Sequence, residues 1–402
     1  MTELRRSLGL PLLVLYGLGV TIGAGIYVLL GAAAARAGVH APMAFVIAAA
    51  VMGFSAASFA ELSARLPVSA GEAAYVHVGF GSKKLSALVG FLVIASGVVS
   101  SAAISAGSTG YIREFVDLPP GLLIVIIVLG LGLIAAWGIT QSVMFAGAFT
   151  LFEAGALVAV IGAGLWTDPG LVRALPDVVP MTGEPAAWIG IAGAGLLAFF
   201  AFIGFEDMVN LAEEVKAPER TLPRAIFITL VLGTLLYFGV TAVAVLAVPV
   251  DELAASEAPL SFVFERITGA SPALITMIAI VATLNGVIIQ IVMASRVLYG
   301  LGRQGSVPQV LARVDPRTQT PLIATGLVTV SVLALALTVP LENLAEWTSR
   351  IVLVVFTLVN ASLVLIKRRG TPAPEGAFTV RVWVPVVGAL TCAALLASGF
   401  LG

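Results

Sequence analysis

The sequence predicts an all-helical integral membrane protein with about eleven transmembrane helices, and three observations support this fold class. Hydrophobic residues make up 59% of the chain and charged residues only 11%, whereas soluble domains carry about 25% charged residues. Apolar runs recur at about the 20-residue length that a bilayer core requires. The connections between them are short and rich in proline and glycine. Residues 1–402 are therefore expected to form one transmembrane domain in a lipid bilayer.

The eleven apolar runs are separated by short segments that contain proline and charged residues, such as "TDPG", "KAPERTLP" and "RRGTPAPEG". None of these segments is long enough for a soluble domain. The first run follows the charged start "MTELRRS" but continues without a cleavage site, so it is interpreted as a retained helix. The runs lie at 9–36, 41–66, 84–113, 120–138, 142–166, 187–211, 223–249, 271–302, 320–340, 343–366 and 380–400.

The distribution of basic residues predicts the orientation. All but five of the 21 lysines and arginines fall on the side of the N-terminus, and cytoplasmic loops carry such an excess. The N-terminus is thus expected in the cytoplasm and, after an odd number of helices, the C-terminus outside the cell membrane. With a net charge of -1 and no long basic run, nothing indicates a nucleic-acid partner, and none is expected. The five exceptions are Arg36, Arg113, Arg173, Arg266 and Arg350.

Two of the apolar runs carry features that interrupt a helix. The first contains "GLGVTIGAGIYVLLG", with glycines that each weaken a helix interior by about 1 kcal/mol relative to alanine. The sixth contains "AFIGFED", where Gly204 precedes two acids. A unit of five helices inserts upside down when it is repeated in tandem, because five is odd. Helices 1–5 (9–166) and 6–10 (187–366) are therefore predicted to form an inverted repeat with helices 1 and 6 broken at the midplane, followed by an additional helix, an arrangement typical of secondary transporters.

The two breaks predict a receptor for an amino acid zwitterion. Where helix 1 restarts near Gly25, free backbone N–H groups carry partial positive charge and suit a carboxylate. The outer half of helix 6 ends near Phe202, and its free carbonyl groups suit an ammonium. An α-amino acid carries both groups on one carbon. The alternative interpretation is that the glycines only allow close packing of helices.

Four motifs in order along the chain resemble those of the amino acid–polyamine–organocation (APC) transporters, which share the leucine-transporter fold. They are "GVTIGAGIYVLLG", "ARLPVSAGEAAYV", "FFAFIGFEDMVNLAEEVKAPERTLPRAI" and "SRVLYGLGRQGSVPQVLARVDPRTQTP". The motifs are most like those of bacterial amino acid permeases. The resemblance implies a ten-helix core of two inverted repeats, transport by alternating access, and coupling to protons, sodium or a counter-substrate.

The same resemblance implies the residues that bind substrate. Phe202 and Phe205 are candidates for the aromatic ring that closes over it, with ordinary helix packing as the alternative. Asn285 in helix 8 is expected either to face substrate or to form a hydrogen bond between helices. The carboxylate site falls on Thr21, Ile22, Gly23, Ala24, Gly25 and Ile26, and the ammonium site on Ala201, Phe202, Ile203 and Gly204.

Three acids are candidates for coupling or gating. Glu153 lies near the middle of helix 5, where an unpaired charge costs at least about 2.5–3.5 kcal/mol; several proton-coupled relatives carry lysine there. It is expected to couple transport to protons, to help ligate sodium, or to make a structural hydrogen bond. Glu206 and Asp207 either cap amides freed at the helix 6 break or gate the inner pathway.

The expected function is a secondary active amino acid transporter with proton-coupled uptake. Neutral amino acids are favoured, because no unpaired acid of clear helix 3, 8 or 10 origin is available for a cationic side chain of the substrate. The alternatives are an exchanger of amino acids or polyamines and a sodium-coupled symporter. An enzyme is disfavoured, since neither HExxH nor a Ser/His pairing occurs, and a pump is excluded by the lack of a Walker A motif. No cofactor is expected, and the two histidines, His40 and His77, lack metal-binding spacing.

Overall fold

The structure is a computed structural model of the chain. It describes residues 6, 8–22, 25–67, 71–137, 143–180, 185–303, 305–318 and 320–399, with side chains left out at 143–148, 210 and 213. Within those ranges the regular secondary structure is helical and no β-sheet forms, apart from one isolated bridge between Leu8 and Val215. The all-helical class predicted from composition is therefore confirmed.

The described residues form sixteen α-helices joined by short turns and four 3₁₀ helices. The α-helices are α1 (Leu10–Ile22), α2 (Gly25–Ala37), α3 (Ala41–Arg65), α4 (Gly71–Phe80), α5 (Lys83–Arg113), α6 (Pro120–Trp137), α7 (Val143–Thr167), α8 (Leu171–Ala174), α9 (Pro185–Phe202), α10 (Pro218–Ala247), α11 (Val250–Ala255), α12 (Pro259–Thr268), α13 (Ala273–Arg303), α14 (Leu322–Thr338), α15 (Leu341–Arg368) and α16 (Trp383–Ser398). The 3₁₀ helices are Gly38–His40, Leu175–Val178, Phe205–Glu214 and Gln309–Ala312.

Eight helical segments of the described chain are long and apolar enough to cross a membrane. Three further apolar helices, α1, α14 and α16, are shorter than a full bilayer crossing. Each of the eleven apolar runs coincides with one or two of these helices, which fits an integral membrane protein. The number of crossings and the inverted repeat remain predictions.

Helix ends are set by local chemistry. Ser82 caps α5, because its hydroxyl accepts a hydrogen bond from the Leu85 N–H at 3.2 Å. Pro218 opens α10 at a position where its missing N–H costs nothing. Gly269 ends α12 in the left-handed conformation that glycine adopts without strain.

The interruption predicted in the sixth run lies where α9 ends, at Phe202. Gly204 then adopts φ +125°, a conformation that favours glycine. The chain continues as a 3₁₀ helix, Phe205–Glu214, rather than as the α-helical inner half that the sequence suggests. At its far end, the Leu8 N–H donates to the Glu214 carbonyl at 3.0 Å and the Lys216 N–H donates to the Leu8 carbonyl at 2.9 Å. These bonds fix the start of α1 beside the end of the 3₁₀ helix.

Several glycines of the first run permit close packing. A Cβ atom at Gly17 would collide with Met208, and one at Gly19 with Thr150. A Cβ at Gly31 would lie 2.9 Å from the Leu253 carbonyl oxygen. Small residues therefore let α1 and α2 approach their neighbours as closely as membrane helices with small residues do. The packing interpretation of these glycines is supported at all three positions.

Candidate functional site

The ends of the two interrupted runs meet in the structure. A Cβ atom at Gly25, the first residue of α2, would collide with the backbone of Ala201 near the end of α9. A Cβ at Gly204 would lie 2.7 Å from Val20 Cγ1 and 3.0 Å from the Val20 carbonyl oxygen. The junction thus needs glycine on both sides. Gly23 and Ala24, which the sequence assigns to the carboxylate site, lie outside the described residues.

Tyr237 of α10 contacts the ends of both α1 and α9 through its hydroxyl group. Its hydroxyl lies 2.8 Å from the Thr21 carbonyl oxygen and 2.8 Å from the Ala201 carbonyl oxygen and can donate to either. Its buried ring packs edge to face on Phe202 at 4.9 Å between centroids. The Ala201 carbonyl belongs to the last turn of α9, where intrahelical donors are lacking, and Thr21 lies one residue before the last described residue of α1. Sequence analysis did not single out Tyr237. The feature that could have indicated it is a single tyrosine within an apolar run.

We expect Tyr237→Phe to lower the free energy of unfolding by about 1–3 kcal/mol, because two buried carbonyl groups lose their donor. Thermal unfolding in detergent measures the change. Tyr299→Phe is the matched control, since that partly exposed hydroxyl lies 3.5 Å from Arg303 Nη1. Equal melting temperatures for the two variants would contradict the capping role.

A small cavity of about 20 Å³, the space open to the centre of a water molecule, adjoins the junction. That volume holds one or two waters, so side chains must move to admit an amino acid. Three predicted site residues, Thr21, Gly25 and Ile203, line this cavity, which we call the junction cavity. Its lining is Val20, Thr21, Gly25, Ser100, Ile104, Phe200, Ile203, Gly286, Ile289 and Gln290.

Other predicted residues are not part of the lining of the junction cavity. Ile22 and Ile26 are fully buried in the hydrophobic core. Phe202 packs on Tyr237, and Phe205 packs on Phe59 and Phe356 with centroids 5.7 Å away in each case. The packing alternative is thereby favoured for both phenylalanines.

The aromatic side chain that lines the junction cavity is Phe200. On α13, Gly286, Ile289 and Gln290 line it, and Asn285 is not part of this lining. The rotation of α9 and α13, which sequence analysis could not determine, sets which of their residues line this cavity, and the roles predicted for Phe202 and Asn285 stay predictions.

A second cavity, also of about 20 Å³, lies next to the first and shares Ser100, Ile203 and Gln290 with it. We call it the acidic cavity because three carboxylates line it. Its lining is Glu72, Val93, Ser96, Ser100, Ile203, Glu206, Asp207, Gln290, Met293, Thr348, Val352, Val355 and Phe356.

Glu206 caps the break, since its carboxylate accepts a hydrogen bond from the Gly204 N–H at 2.8 Å. The capping alternative predicted for this residue is therefore observed. Glu72, on α4 outside the membrane-spanning segments, was not singled out by sequence analysis. Burial raises the pKa of Glu72 to about 7, against the lowering effect of its own backbone N–H, and the nearby Asp207 adds to the rise.

Glu153 is buried in α7 with 1% of its surface exposed. Neither carboxylate oxygen has a hydrogen-bond partner among the residues that the structure describes. Its backbone carbonyl, by contrast, accepts from the Tyr27 hydroxyl at 2.8 Å. The side-chain hydrogen bond considered as a structural alternative is thus not found in the described part of the chain. A carboxyl in this setting is costly to ionise.

A bundle of apolar helices with a cavity beside an interrupted helix is typical of membrane transporters. A family model described as amino acid permease matches residues 8–402. The chain belongs to this family, within the APC superfamily. The family points to a transporter rather than an enzyme.

Three similar proteins have names that describe different cargoes. The branched-chain amino acid permease BcaP of Bacillus subtilis is 30% identical, over 93% of this chain and 83% of that protein. The vacuolar cationic amino acid transporter 2 of Arabidopsis thaliana is 30% identical, and the match spans 91% of this chain but only 60% of that protein. The methylthioribose transporter of Bacillus subtilis is 27% identical over 96% of this chain and 86% of that protein.

Proposed function

We propose that the protein is a secondary active transporter that moves amino acids across the cell membrane by alternating access, with its N-terminus in the cytoplasm. The observation that carries this proposal is the close contact of Gly25 in α2 with Ala201 near the end of α9, beside a small cavity. Membership of the amino acid permease family supports it. Two relatives named for amino acid cargo support the same substrate class.

The start of α2 and the end of α9 are proposed to bind the α-carboxylate and the α-ammonium of the amino acid. The first N–H groups of α2, whose first described residue is Gly25, are proposed to be free of intrahelical acceptors and to attract the substrate carboxylate through their partial positive charge. The last carbonyls of α9, up to Phe202, carry partial negative charge and attract the ammonium. The Ala201 carbonyl already accepts from Tyr237, but a carbonyl oxygen has a second lone pair for a substrate N–H.

We expect an amino acid methyl ester and the corresponding deaminated acid each to lose most of the affinity of the parent amino acid. Either change removes one of the two charges that the helix ends match. Equilibrium binding to the purified full chain measures all three ligands, with leucine as the parent. If both analogues bind like leucine, recognition runs through the side chain and the head-group site is refuted.

Coupling to protons through Glu153 is the favoured mode. A buried carboxyl without a hydrogen-bond partner in the described chain can exist as the neutral acid and can ionise when water reaches it. Sodium symport and exchange are the alternatives. Uptake of labelled amino acid into sealed vesicles, with pH and sodium gradients imposed separately, distinguishes the three modes.

Neutral amino acids are the cargo that the sequence favours, because helices 3, 8 and 10 provide no unpaired acid for a cationic side chain; Glu346 of helix 10 is paired with Arg36 and Arg350. BcaP, named for branched-chain amino acids, agrees with this preference. The Arabidopsis relative, by contrast, is named for cationic amino acids. The three carboxylates that line the acidic cavity were not considered in this preference, since they come from elements other than those three helices.

A further inference from the structure

A fully buried carboxylate joins α3 to the end of α15. Glu61 of α3 has its Oε1 atom 2.8 Å from Arg65 Nε on the same helix and 2.7 Å from Lys367 Nζ in the last turn of α15. Its Oε2 atom accepts a hydrogen bond from the Val380 N–H at 2.7 Å. Lys367 Nζ also donates to the Val380 carbonyl. We call these four residues the Glu61 cluster.

The Glu61 cluster holds the segment between α15 and α16, residues 370–382, against the helices. None of the residues of this segment lies in a helix or strand, and all of them are described. Arg65 Nη1 donates to the Thr371 carbonyl at 2.9 Å. Further along, the Phe378 ring packs edge to face on Phe227 of α10, with the two centroids 5.6 Å apart. Side chains of α3 and α10 therefore fix the position of an otherwise irregular segment.

The end of α15 also holds α4 in place. Arg369 Nη1 donates to the Val78 carbonyl of α4 at 3.1 Å. A Cβ atom at Gly79 would lie 2.4 Å from Ser362 Cβ of α15, so the two helices are in close contact. Both helices form walls of the acidic cavity, and the Glu61 cluster therefore fixes the far ends of two of its walls. Their residues in the cavity lining are Glu72, Thr348, Val352, Val355 and Phe356.

The charges of the Glu61 cluster do not balance. Among the ion pairs of the described residues, Arg65 and Lys367 pair with Glu61 and with no other acid. Two cations whose side chains are only 9% and 14% exposed thus share one carboxylate.

This imbalance makes the contact between α3 and α15 reversible. Leaving a buried charge without any partner is costly. Glu61 keeps a partner when Lys367 departs, because Arg65 lies one turn away on the same helix. Lys367 is followed by exposed residues at the end of α15, and its long side chain can carry the ammonium to water. The contact can therefore break without leaving either charge buried alone.

We propose that the contact of α15 and segment 370–382 with Glu61 is a reversible latch that closes the acidic cavity toward the cytoplasm. This inference rests on the proposed function, because alternating access requires a closure that opens in each cycle. The acidic cavity shares three lining residues with the junction cavity, so its opening extends a path from the helix junction. When the latch opens, α15 and the segment move away from α3 while Arg65 stays paired with Glu61.

The test measures how fast a charged, water-soluble maleimide modifies a cysteine placed in the acidic cavity of the purified full chain. The native cysteine, Cys392, is buried and is removed by Cys392→Ser. Ser96→Cys then places the reporter in the cavity lining. We expect Lys367→Met to raise the modification rate about tenfold, because the loss of a buried ion pair shifts the population toward the open form.

Three further variants complete the test. Val380→Pro removes the N–H that donates to Glu61 and keeps every charge; it is also expected to raise the rate, and it applies if Lys367→Met does not fold. Lys84→Met, at an exposed position of α5, is the matched control and is expected to leave the rate unchanged. Ser261→Cys, buried in α12 beside the last turn of α5, reports general loosening and is expected to react equally slowly with and without Lys367→Met.

Two results would overturn the latch. One is an unchanged rate at Ser96→Cys in both Lys367→Met and Val380→Pro. The other is an equal acceleration at Ser96→Cys and Ser261→Cys, since the whole fold would then have loosened. Leucine binding to the wild-type chain separates the latch from the proposed function. If leucine binds while the rates stay unchanged, only the latch fails; if leucine does not bind, the proposed function fails and the latch with it.

Discussion

Gly25→Leu is expected to abolish amino acid binding while the protein remains extractable in folded form. Any Cβ atom at this position collides with the Ala201 backbone, and a leucine adds three further carbons to the clash. The start of α2 must then move away from the end of α9. That movement separates the N–H groups and carbonyl groups that are proposed to hold the two charges of the substrate. The measurement is equilibrium binding of leucine to the purified variant.

Two variants make this result interpretable. Gly25→Ala introduces the smallest side chain that produces the collision, so it is expected to weaken binding as well. Gly326→Leu on α14 is the matched control, because a Cβ there meets no atom within 4 Å. It should bind leucine like the wild type. Unchanged affinity in a folded Gly25→Leu protein would remove the helix junction from the binding site.

Glu153→Gln is expected to impair gradient-driven uptake more than binding and to flatten the pH dependence of transport. Glutamine keeps the size and hydrogen-bonding capacity of the side chain but cannot ionise. The wild-type carboxyl is buried, and its oxygens have no hydrogen-bond partner in the described chain. A group that changes charge during the cycle would be lost in the variant, while the helix ends that hold the substrate would remain.

The experiment pairs leucine binding in detergent with leucine uptake into vesicles across a pH series. Glu265→Gln serves as the control, since it removes an acid from an exposed position on α12. If Glu153→Gln accumulates substrate with the pH profile of the wild type, Glu153 has a structural role. Coupling would then have to be sought at Glu206 or Asp207, or replaced by exchange.

The positions of the helices follow from sequence because they depend on local properties. A run of about 20 apolar residues forms a helix in lipid, where each backbone polar group needs an internal partner. The interruption at Gly204 can also be predicted from local sequence, since a glycine, a phenylalanine and then two acids do not continue an apolar helix. Membership of the amino acid permease family agrees with the four motifs.

The sequence by itself therefore determined the helical membrane class, the interruption of the sixth run and the family. The tertiary structure alone decided which faces meet: Phe200 rather than Phe202 at the junction cavity, Tyr237 behind it, and Glu72 beside Asp207. Each residue turns the face of a helix by about 100°. In lipid an apolar helix has no polar side that reveals its orientation, so only packing against neighbours fixes which side chains reach a site.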